Sequence, residues 1–315
     1  MSHLLQLIPE HHTRVWGGHR LKPDSIDPVG EAWVVYEHNL VASGPHKGQK
    51  LSEVIQQEGE RLLGSNAWQS TGERFPLLIK LLDCTDWLSI QVHPNDEQAR
   101  ELHGPDQFGK TEAWHVLEAA EGAKVIAGIR AGTSPEALKE AILAAQVEPL
   151  SEYVQVKAGD TIFMPAGTLH ALGPGLFIYE VQQTSDITYR VYDWDRPASA
   201  GRKLHLEESA QVTRSDLSGQ VNPYPELEDN DLKPVVTSPY FVTEVLQATS
   251  SPLNLKTTGE SFHVVTVIEG EADVRLGKET VHLGLFETVL VPANAGEYTL
   301  TSSTGKARAL RSSLP

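Results

Sequence analysis

Cysteine is nearly absent from this chain of 315 residues: Cys84 stands alone. One thiol can neither close an intrachain disulfide nor build a thiolate zinc cluster. Basic residues are also scarce. Twenty-six Lys and Arg stand against 42 Asp and Glu, a formal net charge of −16. A field of that sign repels phosphate backbones and anionic lipid, so nucleic acid and membrane are not expected as partners. An anionic substrate would need a local group of cations set against the field of the whole. No apolar run reaches the length of a membrane-spanning helix. The N-terminal segment lacks the basic start and apolar run of a signal peptide, and a cytoplasmic location is the expectation. Neither G-x-G-x-x-G nor G-x-x-x-x-G-K-[ST] occurs, so no nucleotide-binding fingerprint is present.

The chain has many short apolar runs, at 32–36, 77–82, 125–129, 161–164, 176–181, 262–268 and 288–291. They are rich in Val, Ile, Phe and Tyr and are bounded by Gly, Pro, Asn or Asp. That pattern predicts a mostly β protein of the sandwich or barrel class. Helices are few: 52–63, 95–103 after an Asn cap, 134–146 opening Ser-Pro-Glu, and 206–212. A polar stretch rich in Ser, Asp, Asn and Pro reads as a connection, placed at 216–235. It separates a first domain, 1–215, from a second, 236–315, which N-terminal strands would help complete.

A repeat crosses that connection. Asp160-Thr-Ile-Phe-Met-Pro165-Ala166 matches Glu287-Thr-Val-Leu-Val-Pro292-Ala293 in chemical type, position by position. Upstream, Val125-Ile-Ala-Gly128 resembles Val267-Ile-Glu-Gly270. Two β units with the same punctuation suggest a duplicated small barrel.

Four clusters carry chemistry. In Ser89-Ile-Gln91-Val-His93-Pro94, Gln91 and His93 share a face by the strand's period of two. In Gly109-Lys110-Thr-Glu112-Ala-Trp114-His115, Lys110 and Glu112 share a face and His115 falls on the other. The third is Gly159 to His170, with the spacing G-x5-P-x-G-x2-H. There Pro165 and Gly167 force a tight turn and His170 opens the returning strand. The fourth runs from Glu180 through Asp186 to Arg190.

The third cluster resembles the second metal motif of cupin barrels. The first cupin motif, H-x-H-x3–4-E, is absent, and Gln91-x-His93 with the distant Glu112 takes its place. The four clusters in this order, with Val15-Trp-Gly-Gly18 and Gly30-Glu-Ala-Trp33, resemble the type I phosphomannose isomerases in their compact bacterial form. The resemblance implies two cupin-like, jelly-roll β-barrels with a few short helices. It implies a metal-dependent aldose–ketose isomerase that interconverts mannose 6-phosphate and fructose 6-phosphate. It also implies one Zn²⁺ per chain, held by Gln91, His93, Glu112 and His170. Two imidazoles, a carboxylate and an amide oxygen suit such a borderline dication, and the absence of thiolates fits a catalytic site. Isomerisation needs an electrophile, a base and donors for the enediolate. Lys110, Arg190, Glu180 and Asp186 are the catalytic candidates, and Ser89, Lys110 and Arg190 the substrate-binding ones. Two other readings stand beside this one: a related cupin acting on another sugar phosphate, and a non-catalytic sugar-binding cupin. The second barrel is expected to lack the ligands, because aligning Pro165 with Pro292 sets Glu297 opposite His170.

Overall fold

A computed structural model describes residues 3–197 and 202–315. Among the described residues are twenty-two strands and six α-helices, so the protein is mostly β. Its internal contacts divide it into two units. One comprises Met1–Glu10, Trp33–Ile79 and Tyr224–Pro315, the other His11–Ala32 and Lys80–Pro223.

The first unit contains two sheets. The larger runs in the order Leu5–Gln6, Thr288–Val291, His263–Glu269, Lys306–Ser313, Val242–Thr249, Asp231–Thr237. The smaller runs Leu253–Lys256, Glu297–Ser302, Ala272–Leu276, Glu279–Leu283. Alternate residues of these strands meet in one core around Leu246, Val265, Val274, Val289 and Leu300. The second unit repeats the order. Its larger sheet begins Gln220–Asn222, Thr161–Met164, Glu112–Ala119, Leu176–Gln183. It continues into the parts of Leu77–Cys84, Val29–Val35 and Glu10–Gly18 that belong to this unit. Its smaller sheet runs Tyr189–Tyr192, Ile90–Val92, His170–Leu172, Lys124–Ile129, Ser151–Gln155. None of the four sheets closes on itself.

The helices follow their caps. Asn95 and Gln98 exchange bonds of 2.9 and 3.0 Å in a capping box ahead of helix Asp96–His103. Ser134 Oγ accepts from Ala137 N at 3.2 Å before helix Pro135–Leu143. The helix expected over 52–63 breaks into Leu51–Glu58 and Glu60–Leu63, because Gly59 takes a φ of +55°. A further helix, Ser65–Thr71, has no apolar periodicity and was not expected. The polar connection contains Gln220–Asn222 and leads into Asp231–Thr237. Both are edge strands, whose ladders bond through the backbone and need little apolar side chain.

Pairing registers sort the repeat. Glu112 lies opposite Met164, which precedes Pro165; His263 lies opposite Val291, which precedes Pro292. His263 therefore holds the place of Glu112 in the duplicated sheet. The upstream match was misplaced: 267–270 ends the counterpart of Glu112–Ala119, not of Lys124–Ile129. Glu297 is exposed, and the first buried residue of its strand is Tyr298, one position later. The Tyr298 hydroxyl lies 2.8 Å from His263 Nδ1.

Burial, with the Arg311 cation nearby, pushes the His263 imidazole down to about 3. The unfolded chain takes that proton near pH 6.5. Between those values the unfolded state binds more protons, so stability falls as pH drops through the window. The slope from this residue approaches about 1.4 kcal/mol per pH unit at most. Denaturant unfolding between pH 6.5 and 4, with chelator present, should show a flatter loss in His263→Gln. An unchanged slope would mean that His263 protonates freely in the folded chain.

Candidate active site

Three sequence clusters converge in the second unit. Glu112 is 1% exposed, as are His93 and His170. The Nε2 atom of His170 is 3.1 Å from Glu112 Oε1, and that of His93 is 3.5 Å from Oε2. The three atoms that could ligate a metal lie within 4.8 Å of one another. The outer nitrogens settle the tautomers. His93 Nδ1 donates to the Ile187 carbonyl at 2.8 Å, and His170 Nδ1 to the Thr168 carbonyl at 2.8 Å. A carbonyl only accepts, so in the neutral rings both Nε2 atoms carry bare lone pairs. Burial and the Lys110 ammonium hold the His93 ring down to about 3, so it is neutral at pH 7. Burial alone would raise the Glu112 carboxyl, but Lys110 and the two rings hold it well below the usual carboxylate range. Lone pairs thus face lone pairs: His93 Nε2 and both Glu112 oxygens are buried and make no hydrogen bond, with the Lys110 ammonium 3.3 Å from one of the oxygens. A cation is what such a set accepts. The Gln91 amide closes it, with Nε2 3.4 Å from His170 Nε2 and Oε1 3.4 Å from Ser89 Oγ. A half-turn about its last bond offers oxygen to the cluster and NH2 to Ser89.

Local backbone fixes these groups. Gly167, at φ +89°, makes the turn that sends His170 inward, and its N–H donates to the His93 carbonyl at 2.8 Å. Gly109 packs against the start of helix Asp96–His103, where a Cβ would come within 2.5 Å of the Asn95 backbone. Its N–H donates to Asp96 Oδ1 at 2.7 Å. Next in sequence, Lys110 places Nζ 3.3 Å from Glu112 Oε2.

Gln91 and Lys110 join this cluster to a cavity of about 450 Å³. Ser89, Glu180, Asp186 and Arg190 also line it, so every sequence-derived candidate lies in the cluster or on the cavity wall. Glu180 is clamped: Lys80 Nζ is 3.0 Å from Oε1, and Trp114 Nε1 donates to Oε2 at 3.2 Å. Burial would depress the Lys80 ammonium, but Glu180, Glu31 and Asp186 outweigh it and hold it above its ordinary range. Asp186 is exposed. Arg190 donates to the Lys203 carbonyl at 3.2 Å. His115 stands apart, buried against Thr161 Oγ1 at 2.8 Å.

Sequence reading missed Lys80, the Arg14–Glu31 pair at 2.8 Å, Arg202 and His205, all on the cavity wall. Lys80 had a signal, as the one charge inside the apolar run Leu77-Leu-Ile-Lys-Leu-Leu82. Arg202 and His205 had none, since each sits in ordinary polar sequence.

Comparison with known proteins identifies relatives of the chain. The sequence pattern of the phosphomannose isomerase type I catalytic domain matches residues 4–118. The chain is 36% identical to the mannose-6-phosphate isomerase of Streptococcus mutans, over 93% of each chain. It is 34% identical to mannose-6-phosphate isomerase ManA of Bacillus subtilis, over 93% of this chain and 94% of that one. The crystal structure of the mannose 6-phosphate isomerase from Bacillus subtilis superimposes with a TM-score of 0.84, at 31% identity and 99% coverage of both chains.

The Lys80–Glu180 pair is buried, with side chains 5% and 6% exposed. Removing one partner strands a charge, which costs about 3–5 kcal/mol. Lys80→Met should therefore lose that much in denaturant unfolding. The double variant Lys80→Met/Glu180→Leu should recover most of it. Equal losses in both would show that the pair contributes only packing.

Proposed function

The chain belongs to the type I phosphomannose isomerases, and we propose on that premise that it interconverts mannose 6-phosphate and fructose 6-phosphate. The observation that carries the reading is the buried His93, Glu112, His170 set, joined through Gln91 and Lys110 to a cavity bearing both acids and cations. Gln91, His93, Glu112 and His170 would hold one zinc ion per chain. Two neutral imidazoles, one carboxylate and one amide oxygen fit a borderline dication and retain one negative charge to bind it. When bound, such an ion supplies a Lewis acid for polarising the sugar's carbonyl. The chain's own groups do the rest. Lys110 keeps Glu112 ionised and presents an ammonium at the cavity floor. Arg190 offers guanidinium donors to the enediolate oxygens, which carry more charge in the transition state than in the ground state. Glu180 and Asp186 are the carboxylates assigned to proton transfer, and Ser89 a sugar-hydroxyl partner. Glu180 is oriented by Lys80 and Trp114.

We read each unit as a cupin-type jelly roll, which the repeated strand order supports. The catalytic chemistry is assigned within 1–215, and 236–315 to a copy without the ligand set. There His263 and Tyr298 bond each other where the first copy has Glu112 and His170. The single thiol, Cys84, is buried and suits a reducing, cytoplasmic setting.

A coupled assay on mannose 6-phosphate, with elemental analysis, tests the reading. Purified protein should carry one zinc per chain and lose turnover to a strong chelator. His93→Ala and His170→Ala should each lose the metal and nearly all activity while remaining folded. Glu297→Ala should keep both. Two tightly held zinc ions, or turnover on another sugar phosphate alone, would refute the assignment. Arg190→Ala should lower kcat more than it raises KM, by about 10²–10³-fold, the scale of losing one oxyanion donor.

A further inference from the structure

The smaller sheet of the second unit sets three site residues abreast, one in the buried cluster and two on the cavity wall. His170 lies opposite Gln91, and Gln91 opposite Arg190, in neighbouring strands. The row continues into the chain after the sheet. His205 N donates to the Arg190 carbonyl at 2.8 Å, and Arg190 N donates to His205 Nδ1 at 3.3 Å. The His205 Nδ1 is thereby an acceptor, so the neutral ring carries its proton on Nε2. Beside it stands Arg202, whose Nε is held by Asp193 at 2.7 Å. Arg196 Nη1 also bonds Asp193, at 3.0 Å, so one carboxylate is shared by two guanidiniums. Arg190 and Arg202 therefore meet in the cavity as like charges, and the Arg190 Nε–H is buried with no acceptor. Burial and the Arg202 cation both press on the Arg190 guanidinium, as a site built for an anion would.

We propose that Arg202 and His205, beside Arg190, form the subsite for the substrate's phosphate. This rests on the isomerase reading above. A phosphate dianion with three oxygens matches the Arg202 guanidinium fork and the His205 imidazole N–H, which leaves Arg190, one strand nearer the metal ligands, to the enediolate. Strand spacing gives the reach. Two steps of about 5 Å separate the metal-ligand end of the row from the Arg190–His205 end. That is the scale of an open six-carbon chain with a terminal phosphate. The sugar's C1–C2 end then lies by Gln91 and Lys110, and its phosphate by Arg202.

The test uses full-length, metal-loaded protein, with inorganic phosphate as a second probe. In Arg202→Met and His205→Ala, KM for mannose 6-phosphate should rise about 10-fold or more, the scale of a charge-assisted bond. The inhibition constant of inorganic phosphate should rise in parallel, with kcat within a few-fold of wild type. Arg202→Lys should recover part of the loss. Unchanged KM and phosphate inhibition, or a lower melting temperature with phosphate inhibition intact, would leave Arg202 a brace for Asp193 and overturn the proposal. His205→Ala gives up only the His205 side chain, so it decides the matter if Arg202→Met does not fold. Should wild type fail to turn over mannose 6-phosphate, the isomerase reading fails. Calorimetric binding of inorganic phosphate to wild type and Arg202→Met then still tests the anion subsite, and equal affinity would overturn it.

Discussion

A buried carboxylate faced by two imidazole lone pairs is the constraint around which the second unit is arranged. Glu112, His93 and His170 present acceptors to acceptors, and burial removes the water that would otherwise separate them. In a low dielectric such a set is costly to leave without a positive charge. The Lys110 ammonium at 3.3 Å meets part of that demand, and a dication would meet the rest. The surrounding backbone serves this arrangement. Two carbonyls fix the ring tautomers, Gly167 makes the turn, and Gly109 allows the close approach that brings Lys110 in.

The duplicated unit shows what happens when that demand is lifted. At the position of Glu112 it has His263, and Tyr298 supplies the facing group. A ring nitrogen and a phenol can bond each other directly, so no ion is required. The neighbouring pair changes as well. Lys80 and Glu180 bridge adjacent strands in one unit; Glu244 and Arg311 face each other in register in the other, with the signs exchanged. A buried pair tolerates such an exchange, because its Coulomb attraction is symmetric in sign. A ligand set does not, because only acceptors bind a cation. The repeated strand order thus keeps an internal ion pair, while His263 and Tyr298 stand where the other unit has Glu112 and His170.

How much was legible follows from which signals are local. Strands could be read because Val, Ile and Phe runs end in turn residues, and His170 because a Pro–Gly turn fixes its direction. Period two set Glu112 on one face with Lys110, and only the family resemblance singled it out as a metal ligand. The failures are equally physical. Gly296 lengthens the second turn by one residue, and a one-residue shift reverses the facing of every side chain, so Tyr298 rather than Glu297 points inward. Gly59 cut a helix whose apolar pattern ran through it. Gln220–Asn222 is a strand by its backbone bonds, which leave no apolar pattern. His205 reaches the cavity through its bonds to the Arg190 backbone and Arg202 through its bond to Asp193, which no local pattern announces.

The charge distribution ties these parts together. A net charge of −16 opposes the approach of any sugar phosphate. Within the cavity, however, the acids are largely engaged: Glu31 with Arg14, Glu180 with Lys80 and Trp114. Asp193, just outside it, is bonded to Arg196 and Arg202. Each pairing neutralises an acid and at the same time orients a cation, so the guanidiniums are positioned by the negative charge that would otherwise repel the substrate. Screening limits the opposing field to about 8–10 Å at physiological salt, whereas charges inside a low-dielectric cavity act at full strength. The acidic surface then favours solubility, and selection of an anion is left to the few cations that the fold has buried.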